Sequence, residues 1–232
     1  MPMPTLYSRG LILLASALVV SGCAHQPTPE QINYTHCRTL GNASKAENYP
    51  LVLQEADLCL EKNTLTPRLQ SMVYLLKADA YSNLKRYQEA IAPKEKSIAL
   101  SPERESRSIL DLSHLYRMSG NPQKALELVQ SNLDAGLGET GKGAGFNMPT
   151  YYHLGLALSD LGQYREAAEA FSTGLRRQKD FAWAYYYRGV AYDHLGLRDD
   201  ARADFQQFAK LANKQYVEAE HQANLDKYNI KL

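Results

Sequence analysis

The pattern of hydrophobic and polar positions divides the 232-residue chain into three parts. The first contains a largely apolar run of ten residues, 11–20, which follows a single arginine, Arg9. A short polar stretch with prolines covers residues 24–32. From about residue 33 onward, apolar and polar positions are mixed as in amphipathic helices, and glycine or proline residues separate the segments. The pattern therefore predicts an N-terminal signal, a tether and a folded region made of helices.

The folded region also repeats itself. Residues 151–175 align with residues 185–209 at a constant offset of 34, which pairs Gly155 with Gly189, Ala157 with Ala191, Gly162 with Gly196, Ala167 with Ala201, and Phe171 with Phe205. Residues 74–102 and 109–133 carry small and aromatic residues in the same slots. A constant period of this length indicates that one supersecondary unit is stacked several times along the chain.

This spacing resembles the tetratricopeptide repeat, a unit of two helices, A and B, joined by a turn. The small residue at the eighth position is Ala78, Ser113, Gly155 or Gly189, and the alanine at the twentieth position is Ala90, Ala125, Ala167 or Ala201. The resemblance implies an all-α superhelical solenoid, in which helices A and B approach closely where both carry little side chain. Gly120, Gly162 and Gly196 are expected to end their A helices in the left-handed conformation.

The register assigns four clear repeats, to residues 71–104, 106–139, 148–181 and 182–215. A degenerate repeat is assigned to residues 33–70, and a capping helix to residues 216–232, because the last unit of a solenoid exposes an apolar face. The tryptophan of the family pattern is missing from the fourth position of every repeat. Pro93 falls inside helix B of the first clear repeat, where it is expected to start or kink the helix.

The first 22 residues are typical of a bacterial lipoprotein signal peptide. Their apolar run is shorter than the roughly 20 residues that span a bilayer, and it fits the core of a secretory signal. Val20, Ser21, Gly22 and Cys23 resemble the lipobox, whose cysteine is acylated and becomes the new N-terminus. The resemblance implies lipidation of Cys23, and Ala24 after it implies sorting to the outer membrane with the folded part in the periplasm. The alternative is an ordinary signal peptide beside an unrelated cysteine.

Two cysteines remain, Cys37 and Cys59. An even pair in an oxidising compartment is a candidate disulfide, and the two residues fall on the paired helices of the degenerate repeat. Two buried free thiols are the alternative.

The chain shows no pattern that indicates catalysis, a metal or a cofactor. Its net charge of +1 gives no preference for nucleic acid. The glycine-rich segment 136–147 partly matches a phosphate-binding loop, but Gly143 stands where magnesium binding needs Ser or Thr, and a predicted helix precedes it instead of a strand. We therefore expect a mobile loop between repeats and no nucleotide. The six histidines are scattered, and no HExxH, CxxC or GxSxG pattern is present, so the chain is not expected to be an enzyme.

Binding of a protein or peptide is the better hypothesis. The resemblance places five positions of each A helix on the concave face of the solenoid. The candidate partner-binding residues are Arg107, Leu110, His114, Arg117, Tyr152, Leu156, Trp183, Tyr186, Val190 and His194. Tyr, Trp and Arg often dominate binding energy, and this groove is expected to be basic in its middle and aromatic towards the C-terminus. Packing between repeats is the alternative for Trp183 and Tyr186, and solvated charge is the alternative for Arg107 and Arg117.

Together these features predict a lipid-anchored periplasmic adaptor that binds an envelope protein or peptide segment through its groove. The resemblance extends to envelope lipoproteins of this repeat family, which include pilotins and adaptors of cell-wall hydrolases and proteases. The Lys and Asn pair with which some cytosolic members clamp a carboxylate is absent, so that ligand is not implied. The alternative is a structural subunit of a secretion or pilus machine that uses the convex face.

Replacing Cys23 with serine is expected to release the protein from membranes, because a serine hydroxyl is not acylated at this position. Fractionation of cells that express the wild type or Cys23→Ser measures this directly, with Cys37→Ser as the control that keeps its anchor. Membrane retention and normal processing of Cys23→Ser would contradict lipidation.

Overall fold

The computed structural model describes residues 29–61, 65–101, 106–135 and 147–232. Cys23 with its signal peptide, and residues 136–146 of the glycine-rich segment, lie outside these ranges. Within them the chain forms α-helices and no β-strand: α1 (Pro29–Lys45), α2 (Tyr49–Leu60), α3 (Pro67–Asn83), α4 (Tyr87–Leu100), α5 (Ser106–Met118), α6 (Pro122–Asp134), α7 (Asn147–Asp160), α8 (Tyr164–Arg177), α9 (Ala182–His194), α10 (Arg198–Leu211) and α11 (Ala219–Asp226). None of these helices is both long and apolar enough to cross a bilayer.

The helices stack as consecutive hairpins. Each odd-numbered helix from α1 to α9 packs most extensively against the helix that follows it, and each hairpin also contacts the next through the pairs α2–α3, α4–α5, α6–α7 and α8–α9. Every unit therefore touches its sequence neighbours and little else, which is the architecture of a solenoid. The prediction of an all-α superhelical solenoid is confirmed.

The turn between the two helices of each hairpin has one recurring form. Gly120, Gly162 and Gly196 have φ angles of 83°, 73° and 75°, which confirms the predicted left-handed caps. After each of them, the next backbone N–H donates to the carbonyl five residues earlier, as in Asn121 to Tyr116 at 2.8 Å. Glu47 and Lys85 hold the same slot in the first two hairpins with φ angles of 54° and 58°. The left-handed backbone conformation of this turn is therefore present even in the two hairpins that have no glycine at this position.

The small residues at the eighth and twentieth positions bring the two helices of a hairpin together. In the second clear repeat, the buried Ser113 hydroxyl donates to the Ala125 carbonyl at 3.2 Å. In the third, a β-carbon built on Gly155 would lie 2.6 Å from the ring of Phe171. In the fourth, one built on Gly189 would lie 3.0 Å from the ring of Phe205. Because these distances leave no room for a methyl group at Gly155, the helix spacing depends on the missing side chain.

The first hairpin has its own apolar cluster and a covalent link. Leu40 and Val52 are almost completely buried where the later repeats carry smaller residues. Cys37 of α1 and Cys59 of α2 form a disulfide, with their Cα atoms 5.0 Å apart. The bond joins the two helices of the repeat whose sequence fits the pattern least well.

Three local features differ from the sequence prediction. α1 begins at Pro29, inside the predicted tether, because a proline fits the first turn of a helix. α4 begins at Tyr87 and continues through the buried Pro93, so of the two predicted effects, starting or kinking the helix, the first does not occur. The predicted capping helix ends at Asp226, and Asn229, with a φ of 57°, then turns the chain so that Ile230 is buried against the last repeat.

Substituting alanine for Gly155 should destabilise the protein by about 1–3 kcal/mol, because the added methyl overpacks the contact with Phe171. Gly41→Ala is the matched control, since it also lies inside a helix but a β-carbon there meets nothing within 4 Å. The control should be neutral or more stable by up to about 1 kcal/mol, because alanine favours helix. Thermal unfolding followed by circular dichroism measures both; equal melting temperatures would contradict the close approach.

Candidate functional site

The odd-numbered helices form the inner face of the array. Contacts along the stack are more extensive between successive odd-numbered helices, α1–α3, α5–α7 and α7–α9, than between any successive even-numbered helices of the described residues. A stack whose members are closer along one edge curves towards that edge. We call the inner surface formed by α3, α5, α7 and α9 the groove.

Three of the ten predicted groove residues are core residues. Leu110 and Leu156 are 5% exposed and Tyr186 is 3% exposed. Neighbouring helices cover the two leucines, and the C-terminal segment covers Tyr186, whose hydroxyl accepts a hydrogen bond from the Asn224 amide at 2.7 Å. The prediction that these side chains face a partner is therefore corrected, because the stacking of repeats has already covered them.

The other seven predicted residues keep some exposure. Arg107 and His194 are exposed, whereas His114, Arg117, Tyr152, Trp183 and Val190 are half-buried. The His194 ring stacks on Tyr164 of α8, with ring centroids 4.1 Å apart. The groove therefore has partly accessible side chains along its length, but fewer apolar ones than the sequence suggested.

The aromatic residues at the C-terminal end pack mainly against one another. The indole of Trp183 lies 5.1 Å from the ring of Phe208 and 4.8 Å from that of His221, measured between centroids. Tyr152 lies 5.1 Å from Phe181 of the connection to α9. These contacts join α9 to its neighbours, so packing between repeats accounts for most of the aromatic surface that was expected to bind a partner.

An ion pair crosses the groove between α5 and α7. The Arg117 guanidinium donates to the Asp160 carboxylate at 2.6 Å. Arg117 is 12% exposed in its side chain and Asp160 is 37% exposed. The middle of the groove is thus less basic than predicted, because the arginine of one repeat is neutralised by the next.

A cavity of about 230 Å³ lies beside this ion pair, between α3, α4, α5 and α7. We call it the central cavity; its lining residues are Ala78, Asp79, Ser82, Lys94, Asp111, His114, Leu115 and His153. Six of the eight are polar or ionisable. The cavity collects them from three consecutive repeats.

Lys94 forms the floor of the central cavity. It is 2% exposed, and its ammonium donates to the Asp111 carboxylate at 2.9 Å. The equivalent slots of the later repeats hold Val129, Phe171 and Phe205, all buried. Sequence reasoning missed this residue, although a lysine at an otherwise apolar position of a repeat was a readable signal.

A second carboxylate, Asp79, lies near this ammonium without bonding to it. The pKa of Asp79 is raised, chiefly because the surrounding helices partly exclude water. The charge of Lys94 opposes that shift, and the charge of Asp111 adds to it. The cavity mouth therefore carries more negative charge than its floor neutralises.

The two histidines of the central cavity are held in the neutral form. Burial, together with the neighbouring charges of His114 and Arg117, lowers the pKa of His153 to about 4. Burial also lowers the pKa of His114, with a contribution from Arg117. The buried Nδ1 of His153 has no hydrogen-bond partner among the described residues. A polar atom buried without a partner is costly, so it is a candidate contact for a ligand.

The described residues contain one group of three potential metal ligands whose atoms lie within 4.8 Å of one another: Glu218, Glu220 and His221. The Nδ1 of His221 accepts the backbone N–H of Glu218 at 3.1 Å, which is a helix cap at the start of α11. One of the three ligand atoms is thus already used, and both carboxylates are exposed.

A second cavity, of about 570 Å³, lies away from the groove. Residues of α8, including Arg165, Glu169 and Arg176, form one side of it, and Leu195 and Leu197 of the turn before α10 form the other. This second cavity belongs to the outer face and mixes charged with apolar groups.

Comparisons with known proteins agree with this architecture. Residues 73–104 and residues 152–219 each match a sequence profile described as tetratricopeptide repeat. No curated protein matches the sequence significantly.

Solved structures with a similar fold include the protein MamA, at 19% identity and a TM-score of 0.62, covering 88% of this chain and 98% of that one. MamA from Desulfovibrio magneticus RS-1, residues 41 to the end, has 15% identity and a TM-score of 0.64, covering 80% and 97%. YrrB, described as a TPR protein with an unusual peptide-binding site, has 17% identity and a TM-score of 0.60, covering 84% and 91%. At these identities the similarity establishes the fold.

His153 should make stability depend on pH. Its pKa is lower in the folded chain, so the unfolded chain binds the proton first as the pH falls below about 6.5. The stability gained from neutral His153 is complete above that pH and is lost progressively towards pH 4. We expect a loss of about 2 kcal/mol between pH 7.5 and 5 that is absent from His153→Gln.

Urea unfolding at the two pH values measures this difference. The raised pKa of Asp79 acts in the opposite direction, so the comparison of variant with wild type isolates the histidine. His194→Gln, an exposed position, should retain the pH dependence of the wild type. The expectation is wrong if His153→Gln and the wild type lose the same stability on acidification.

Proposed function

We propose, on the premise that this chain is built from tetratricopeptide repeats, that it is a lipid-anchored periplasmic adaptor which holds a segment of an envelope protein in its groove. The observation that carries the proposal is the central cavity, where three consecutive repeats combine ionisable side chains on the inner face. A structural solenoid has no need to bury a lysine such as Lys94, because an apolar residue of similar volume stabilises the stack at least as well.

Two of the helices that line the central cavity also carry exposed methionines. Met72 of α3 is 53% exposed and Met118 of α5 is 45% exposed. Methionine side chains are flexible and polarisable, so they adapt to different apolar partners. The groove thus offers adaptable apolar contacts around polar ones, a combination that suits an extended or helical peptide. YrrB supports this reading as a protein of similar fold that is described as having a peptide-binding site.

The sequence before α1 supports the location. Cys23 lies six residues before Pro29, which is at most about 20 Å of chain. If Cys23 is acylated, the first repeat is held close to the membrane surface, and a partner bound in the groove is brought there too. The Cys37–Cys59 disulfide fits an oxidising compartment such as the periplasm. The resulting function is assembly or regulation of an envelope complex.

A second candidate function is that of a structural subunit that docks through its outer face. The second cavity favours it, because the exposed Leu197, at 45%, lies beside the arginines of α8. An apolar residue flanked by charged ones is also a common interface composition.

Introducing a charge at Met118 should weaken partner capture at least about fivefold, because a glutamate loses the apolar contact and must be desolvated on binding. Leu197→Glu is the matched control, since Met118 and Leu197 are both 45% exposed and lie on different faces. Affinity capture from detergent-solubilised envelopes with quantitative mass spectrometry compares the two variants with the wild type.

The two functions predict opposite results in this experiment. Groove binding predicts that Met118→Glu loses partners that Leu197→Glu retains. The reverse pattern would establish the outer face as the interface. Equal recovery by all three proteins would refute the groove proposal. Circular dichroism spectra of both variants verify that each is folded.

A further inference from the structure

The central cavity presents hydrogen-bond acceptors to an incoming group. The carboxylates of Asp79 and Asp111, the hydroxyl of Ser82 and the neutral ring nitrogens of His114 and His153 line it. A carboxylate only accepts hydrogen bonds, and each neutral imidazole has one accepting nitrogen. The one strong donor in the lining, Lys94, already bonds Asp111 from beneath. A ligand rich in donors therefore matches this lining.

Charge points to the same kind of ligand. The negatively charged groups around the cavity are Asp79, Asp111 and Asp160. The positively charged groups are Lys94 and Arg117. Both cations are engaged in ion pairs, which leaves Asp79 without a salt-bridge partner among the described residues. Burial raises the pKa of Asp79, and the nearby charge of Lys94 offsets that shift only in part.

We propose that the central cavity binds a single basic side chain, the ammonium of a lysine or the guanidinium of an arginine, from the segment held in the groove. This inference rests on the proposed function and specifies the chemistry of its partner. Asp79 supplies the counter-charge, and Ser82 and His153 accept further hydrogen bonds from the cation.

An anionic side chain fits the cavity poorly. It would approach the carboxylates of Asp79 and Asp111 before it reached the ammonium of Lys94, which is only 2% exposed. Arg117 does not attract it strongly either, because that guanidinium is bound to Asp160. The cavity of about 230 Å³ has room for one long side chain, whose apolar stem can continue towards Met118, one turn beyond His114 on α5.

Small analogues of the side chains test the proposal without knowledge of the partner. n-Butylammonium represents lysine and n-propylguanidinium represents arginine, with butyrate and n-butanol as the anionic and neutral controls. Binding is followed by NMR of the imidazole resonances, assigned with His114→Gln and His153→Gln. We expect saturable shifts of both histidines by at least one cation, with a Kd on the order of 1–10 mM, and none by the controls.

Asp79→Asn should weaken the binding of that cation about tenfold, since it removes the charge while preserving size and an acceptor oxygen. Asp134→Asn, an exposed carboxylate on α6, is the matched control and should bind as the wild type does. The proposal is overturned if neither cation shifts the histidines, if butyrate binds instead, or if Asp79→Asn binds as well as the wild type.

A second measurement separates this inference from the proposed function. Selection of a displayed library of random 12-residue peptides on the wild type should enrich Lys or Arg, and selection on Asp79→Asn should lose that enrichment. Selected peptides that fail to bind Met118→Glu but are not enriched in Lys or Arg would support binding in the groove and refute the proposed binding of a basic side chain in the cavity. If no peptide is selected, the groove proposal fails, while the NMR experiment still decides the chemistry of the cavity.

Discussion

The close approach of two helices at a pair of small residues is the constraint on which this structure depends. Gly155 faces the ring of Phe171 with no space for a methyl group, and Ser113 bonds directly to the backbone of Ala125. Once a hairpin with these small residues is fixed at this short distance, its remaining large side chains pack against the next hairpin. The left-handed turn after each A helix sets the direction in which the B helix returns. Repetition of these two features along the chain produces the curved stack.

The curve brings side chains of separate repeats into one site. Asp79, Asp111 and His153 lie on three different helices, and only the stacking places them around a common cavity. Lys94 takes part because a lysine replaces the apolar residue that fills the same layer elsewhere in the array. The Lys94–Asp111 ion pair contributes little net stability, because burying the ammonium costs desolvation while the carboxylate stays 53% exposed. Its position on the inner face fits the proposed role in recognition.

The sequence was a better guide to the repeats than to the groove. It predicted which residues belong to the inner helices, but it did not show which of their side chains are exposed. Tyr186 illustrates the reason, because the C-terminal segment that covers it comes some forty residues later in the chain. Arg117 illustrates another, because its neutralising partner Asp160 belongs to the next repeat. The exposure and the charge of each groove residue thus depend on units other than its own.

The sequence by itself determined the helical class, the length of the unit and the turn that closes three of the A helices, at Gly120, Gly162 and Gly196. These properties are local, because they follow from small side chains and glycine conformations within a single 34-residue period. The tertiary structure alone decided which side chains the groove exposes, how its charges pair and where its cavity lies. Those properties depend on several neighbouring repeats at once, because burial and electrostatic pairing are determined only when the repeats are stacked.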